Sequence, residues 1–223
     1  MSLIINSLDF PKEQYFQEET LKNQVVLHHT ASPASGIEGD LDWWKTTKER
    51  VATHFIIAYD GRVYQLFDLK YWAYHINLAH PSNTLPSAYK TFNQSTKINQ
   101  HSVGIELDAA GSVTRKNGRY MTWYNKEIPE NEVYKLEKSF RGSLFFQRYS
   151  DAQLESLNLL LAKLKLDLKL DLSDWKKEKK TAIFDINASA YTGKSGIYSH
   201  VSYQDNKNDC YPDTRLLAML EGM

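Results

Sequence analysis

Apolar residues cluster along this chain with two different periods. Val25-Val26-Leu27 stand together ahead of His28 and His29. β-Branched residues suit a pleated surface covered on both sides, so 24–29 predicts a buried strand. Ser102-Val103-Gly104-Ile105-Glu106-Leu107 predicts another, ending on an acidic residue among apolar neighbours. Thr53-His54-Phe55-Ile56-Ile57-Ala58-Tyr59 and 62–67 read as paired strands, because Asp60-Gly61 between them is the strongest hairpin signal in the chain. Thr181-Ala182-Ile183-Phe184 reads as a strand and Leu3-Ile4-Ile5 as an edge strand. The second period is helical. Leu154, Leu157, Leu161 and Leu164 recur behind Ser150-Asp151, which predicts a capped helix over 151–166. Shorter helices are expected at 40–51, with Asp40 as cap, and at 213–220.

Between these elements lie polar and irregular stretches. Residues 1–23 form an N-terminal arm, and 32–40 reads as a loop rich in Pro, Gly and Ser. The stretch 70–99 is long, aromatic and irregular, of the kind that functional segments take. Residues 112–150, punctuated by Lys116-Asn117-Gly118, look like an insertion, and 187–196 reads as a loop. A chain of 223 residues can bury a core without staples, and one domain over 1–223 is the expectation.

Composition narrows the partners. Lys+Arg and Asp+Glu are equal at 27 each, which gives no electrostatic case for nucleic acid or an anionic membrane surface. The single cysteine, Cys210, excludes an intramolecular disulfide. The first ten residues lack a basic region and a long apolar run, so neither a signal peptide nor a membrane-spanning helix is expected. The 14 Tyr and 5 Trp suit flat sugar or peptide surfaces as well as a core.

The candidate chemistry lies in combinations of histidines. His28 ends the first buried strand, His200 stands in a late loop, and Asp209 and Cys210 follow closely. Two imidazoles with one anionic ligand make a catalytic zinc set whose fourth position stays open. No local His-Glu-x-x-His motif is present, so distant segments would have to assemble the site.

Taken in order, five pieces carry a family resemblance: Val-Val-Leu-His28-His29-Thr-Ala; His54-Phe-Ile-Ile-x-x-Asp60-Gly61-x-Val-Tyr-Gln; Trp72-Ala-Tyr-His75; Ser102-Val-Gly-Ile-Glu106-Leu; and His200 followed by Lys207-x-Asp209. The chain resembles the zinc-dependent N-acetylmuramoyl-L-alanine amidases of the type-2 group. That group includes phage endolysins and, more distantly, peptidoglycan recognition proteins. The resemblance implies His28, His200 and Asp209 as zinc ligands, with Cys210 as the alternative to Asp209. It implies Glu106 as general base or water-orienting group, Lys207 as oxyanion stabiliser, and His75, Trp72 and His54 as substrate-binding residues. His29 is expected to pack or to support rather than to ligate. Many relatives carry Tyr before the histidine of the second piece; here it is Thr53, which shifts the weight of water activation to Glu106. The implied fold is mixed α/β, with a central, mostly antiparallel β-sheet flanked by helices and a zinc cleft at the sheet edge. The implied substrate is peptidoglycan or a soluble muropeptide, cut between N-acetylmuramic acid and L-alanine by a monomer. Without a signal peptide, a holin-released lysin or a cytoplasmic recycling amidase is expected, with a non-catalytic peptidoglycan-binding module as the alternative.

Overall fold

The computed structural model describes residues 3–32 and 36–223; Met1, Ser2 and the Pro33–Ser35 part of the expected loop lie outside the described residues. Six strands form the central sheet: β1 (Ile5–Ser7), β2 (Gln24–His29), β3 (Phe55–Ile57), β4 (Val63–Gln65), β5 (Ser102–Leu107) and β11 (Gly196–Ser199), in the order β1-β4-β3-β5-β2-β11. The mixed α/β class holds, but the strand directions correct the expected antiparallel sheet. Four of the five neighbouring pairs are parallel, and only β3 with β4, the Asp60-Gly61 hairpin, is antiparallel. The reason lies in the connections. Parallel neighbours need long crossovers, and long segments separate β2 from β5 and β5 from β11. Gly61 takes a φ of +87° at the turn, and a Cβ there would meet the backbone of Ala152 at 2.8 Å.

Both faces of the sheet are covered, which is why β2 is buried at every position. Val25, Leu27, Phe55, Ile57, Val103, Ile105 and Leu107 join the leucines of α3 (Asp151–Asp167) in one core. Ile56 and Ala58 turn to the other face and pack with Leu41 and Trp44 of α1 (Glu38–Thr46). Helix α3 starts on a capping box in which Ser150 and Gln153 satisfy each other's backbone N–H groups. Its Leu157, Leu160, Leu161 and Leu164 are at most 1% exposed, each contributing about 1.5–3 kcal/mol on burial.

Several elements differ from the sequence reading. Helix α1 begins two residues before Asp40 and ends at Thr46, so Asp40 lies in its first turn and accepts the Ser32 hydroxyl at 2.8 Å instead of capping. The far end of the stretch 70–99 is a helix, α2 (Phe92–His101), capped by the Thr91 side chain. Residues 181–184 are not a strand but part of a 3-10 turn, Lys180–Phe184, whose Ile183 carbonyl accepts the Ser199 and Ser202 hydroxyls. Asn187 caps a short α5 (Ala188–Tyr191), preceded by α4 (Ser173–Lys177), and α6 (Thr214–Glu221) closes the chain with Asp213 as cap.

The 112–150 segment folds into a second, antiparallel sheet: β6 (Ser112–Lys116), β7 (Arg119–Met121), β8 (Glu127–Ile128), β9 (Val133–Phe140) and β10 (Ser143–Gln147), ordered β8-β7-β6-β10-β9. Its two ends are tied together, Gln147 N–H donating to Gly111 O at 2.8 Å and Ala110 N–H to Gln147 Oε1 at 2.7 Å. Phe146 stacks on Tyr211 and docks the inner face of this sheet onto the main core. Among the described residues no helix is long and apolar enough to cross a membrane.

Candidate functional site

Strand register brings the chemistry together. On β2 and β5, His28 pairs with Glu106. On β11 and β2, Ser199 pairs with Leu27, so His200 follows beside His28. Glu106, His28 and His200 therefore stand abreast at the carboxyl ends of three adjacent parallel strands, the end at which open α/β sheets bind ligands. The segment after β11 returns Asp209 to the same place. One ligand atom from each of His28, His200 and Asp209 lies within 4.8 Å of the others. His28 Nδ1 is 3.0 Å from His200 Nδ1 and 3.3 Å from Asp209 Oδ2, and His200 Nδ1 is 2.9 Å from the same oxygen.

The protonation pattern suits a cation. Burial pushes the His28 imidazole down to about 4, against the neighbouring Asp209 carboxylate, which would raise it. Burial pushes Asp209 upward, but the His200 and His28 imidazoles outweigh it and hold the carboxyl well below its usual range. Two imidazole nitrogens and a carboxylate oxygen thus converge on one point, a donor set that fits a divalent transition metal. Cys210 is buried in the core with Tyr149 and Tyr211, outside the group of ligand atoms, and burial lifts its thiol well above the usual range. The structure therefore groups Asp209, not Cys210, with His28 and His200.

A cleft of about 540 Å³ opens over this cluster. Glu106 and Lys207 both line it. Burial, together with the charges of Asp209 and Asp40, pushes the Glu106 carboxyl well above its ordinary range, and its Oε2 has no hydrogen-bond partner among the described residues. His75 also lines the cleft, yet its Nδ1 lies 3.0 Å from His28 Nε2, behind the ligand. Trp72 and His54 do not line it. Trp72 stacks on Phe16 and donates its indole N–H to Glu18, while His54 is fully buried with its ring nitrogens on the Tyr71 carbonyl and the Gly104 N–H. Thr53 borders the cleft, but its hydroxyl is spent on the Phe55 carbonyl. His29 sits beside the cluster and pairs through Nδ1 with Tyr149 OH at 2.9 Å.

Other lining residues escaped the sequence reading. Helix α1 contributes Asp40, buried Trp44 and exposed Trp43, and Tyr74, His80 and Gln204 complete the walls. The Trp-Trp pair was visible as part of a predicted helix, but nothing in its spacing pointed at the cleft. Gln204 stands four residues after His200, with no sequence signal to mark it.

No curated protein matches the chain. Among solved structures, the N-acetylmuramoyl-L-alanine amidase LysC from Clostridium intestinale is 12% identical, with 97% of each chain covered and a TM-score of 0.49. The catalytic domain of XlyA is 14% identical over 98% of this chain and 99% of that one, with a TM-score of 0.49. AmpD, as a selenomethionine derivative, is 14% identical over 99% of both, at 0.45. The family model Amidase_2, described as N-acetylmuramoyl-L-alanine amidase, matches residues 19–212, a span that contains every ligand candidate and both ends of the cleft, and the chain belongs to that family.

Proposed function

We propose that the protein is a zinc-dependent amidase that cuts the amide bond between N-acetylmuramic acid and L-alanine in peptidoglycan, with the whole of 1–223 acting as one amidase domain. The observation that carries this reading is the shared rung of Glu106, His28 and His200, with Asp209 converging on the two imidazoles. His28, His200 and Asp209 would hold the metal. Bound there, zinc supplies Lewis acidity, polarising the scissile carbonyl and acidifying water in the site.

The chain's own groups do the rest. Glu106 accepts the proton of the attacking water and delivers it to the departing L-alanine amine. Burial raises the Glu106 pKa, and a divalent cation held by His28, His200 and Asp209 would oppose that shift by favouring the ionised carboxylate. Lys207, on the cleft wall, offers its ammonium to the oxygen on which negative charge develops. The indole and phenol walls of Trp43, Trp44 and Tyr74 give the sugar and stem peptide apolar faces to lie against.

Release of L-alanine amino groups from purified cell walls and from soluble muropeptides tests the reading. Chelation should abolish release and added zinc should restore it. Glu106→Gln should keep the metal and slow turnover by about a hundredfold or more. Full activity after complete metal removal, or parental rates in Glu106→Gln, would overturn the reading.

A further inference from the structure

The short segment 75–77 serves both candidate ligand histidines from behind. Beyond the metal cluster, His28 Nε2 lies 3.0 Å from His75 Nδ1, and His75 Nε2 lies 2.9 Å from Ser102 Oγ. On the other ligand, His200 Nε2 lies 2.8 Å from Gln204 Oε1. That Oε1 also accepts the backbone N–H of Asn77 at 3.1 Å. An atom that accepts from a backbone N–H is the amide oxygen, and it cannot donate. A neutral His200 must therefore carry its proton on Nε2, which leaves the Nδ1 lone pair facing Asp209 Oδ2 and His28 Nδ1. For His28 to offer Nδ1 to the same point, its Nε2–H must donate to His75 Nδ1. His75 then carries its own proton on Nε2 and donates it to Ser102.

We propose that His75 and Gln204 are positioning residues, which fix His28 and His200 as Nε2–H tautomers with both Nδ1 atoms free for the metal. This rests on the metal reading given above. It assigns His75, expected from resemblance to touch substrate, to a place behind a ligand. The segment is itself held in place. Asn99 of α2, fully buried, accepts the backbone N–H groups of His75 and Ile76 at 2.9 and 3.0 Å and donates to the Ile76 carbonyl at 2.8 Å. Gly104 leaves the space into which the His75 ring settles, since a Cβ there would lie 3.2 Å from His75 Cγ. Both acceptors are neutral. A carboxylate behind a ligand imidazole makes it a stronger donor to the metal, whereas an amide oxygen or a neutral imidazole orients the ring and leaves more positive charge on the ion.

Two measurements on the full chain test this, neither needing peptidoglycan. Nitrogen-15 spectra of the zinc-loaded chain should show His28 and His200 protonated at Nε2, with His75 in the same tautomer. An Nδ1–H signal on any of the three overturns the assignment, and this needs no variant. The second measurement is zinc affinity by competition with a chelator. His75→Ala and Gln204→Ala should each weaken it by about 10–100-fold. His75→Asn sets an acceptor oxygen near the place of Nδ1 and should recover most of the loss, which a merely space-filling role would not predict. Parental zinc affinity in a folded His75→Ala chain, or a His75→Asn chain as weak as His75→Ala, refutes the proposal. A chain that binds zinc as expected but leaves peptidoglycan intact refutes the amidase reading and leaves the positioning roles standing.

Discussion

Gly104 is where sheet packing and site geometry meet, and Gly104→Ala tests both. The residue lies in the middle of β5, with Thr53 and His75 against the place a side chain would occupy. A Cβ there would sit 2.8 Å from Thr53 Cγ2, 3.1 Å from Thr53 Cβ and 3.2 Å from His75 Cγ. Carbon atoms prefer about 3.5–4.0 Å, so the closest contact is short by roughly 0.7–1.2 Å. Neither neighbour yields freely. Thr53 is buried with its hydroxyl on the Phe55 carbonyl, and the His75 ring is held between His28 and Ser102. Overpacking of this kind costs about 1–3 kcal/mol. Restricting the unfolded chain returns about 0.4–1 kcal/mol, so steric cost wins and the net loss is about 1–2 kcal/mol. For a chain of this size that lowers Tm by about 2–8 °C. Urea unfolding of Gly104→Ala, Thr53→Ser and the double variant gives the coupling. Serine keeps the hydroxyl and removes Cγ2, so the double variant should be more stable than the sum of its parts by about 0.5 kcal/mol or more. A Gly104→Ala chain as stable as the parent, or strict additivity, would show that the crowding is relieved elsewhere and refute the reasoning.

Three further outcomes follow from the same structure. Leu157→Ala, at a fully buried position of α3, should cost about 2–5 kcal/mol in urea unfolding while leaving zinc affinity unchanged; a loss under about 1 kcal/mol would mean that the core collapses to fill the space. Burial, with Asp40 and Glu38 nearby, lifts Asp108 from 3.8 to about 7. The folded chain therefore keeps a proton that the unfolded chain releases, and stability falls as pH rises from about 4 to 7. Asp108→Asn should flatten that dependence and gain on the order of 2–4 kcal/mol at pH 8, and parallel stability-versus-pH curves for parent and variant would refute the burial argument. Zinc at about 100 times its dissociation constant should add about 2.7 kcal/mol of stability, read as a rise in Tm that His28→Ala abolishes; an equal rise in that variant would place the metal elsewhere.

What the sequence disclosed follows the strength of its local signals. Strands β2 and β5 were legible to the residue, because strands covered on both faces read as continuous apolar runs. The leucine period of α3 and its Ser150 cap were equally plain. Helix α2 was hidden because Asn93-Gln94-Ser95-Thr96-Lys97 shows no apolar stripe, and tertiary contacts through Ser95 and Asn99 hold it instead. Strand β11 was missed because Gly196-Ile-Tyr-Ser is short and lacks alternation, although it is the strand that delivers His200. Outside the Asp60-Gly61 hairpin, strand direction could not be read, since a strand's local pattern is the same whichever way its neighbour runs. Within the site, family resemblance marked His28, His200, Asp209 and Glu106, and the structure gathers all four at the end of the sheet. Gln204 has no local signature, because its importance lies in one amide oxygen shared by two donors.

The second sheet enters and leaves through one pair of hydrogen bonds between Gly111, Ala110 and Gln147. Such a neck separates the length of the inserted strands from the register of β5, four residues upstream. Its outer hairpin, β7–β8, can lengthen, shorten or be exchanged without sliding Glu106 past His28. Trp123, from the turn of that hairpin, donates its indole N–H to the carbonyl of Ala31 on the cleft rim. The insertion thus gives this enzyme a replaceable brim: a part whose size can change, and reshape the mouth of the cleft, while the strands that carry His28 and Glu106 stay in register beneath it.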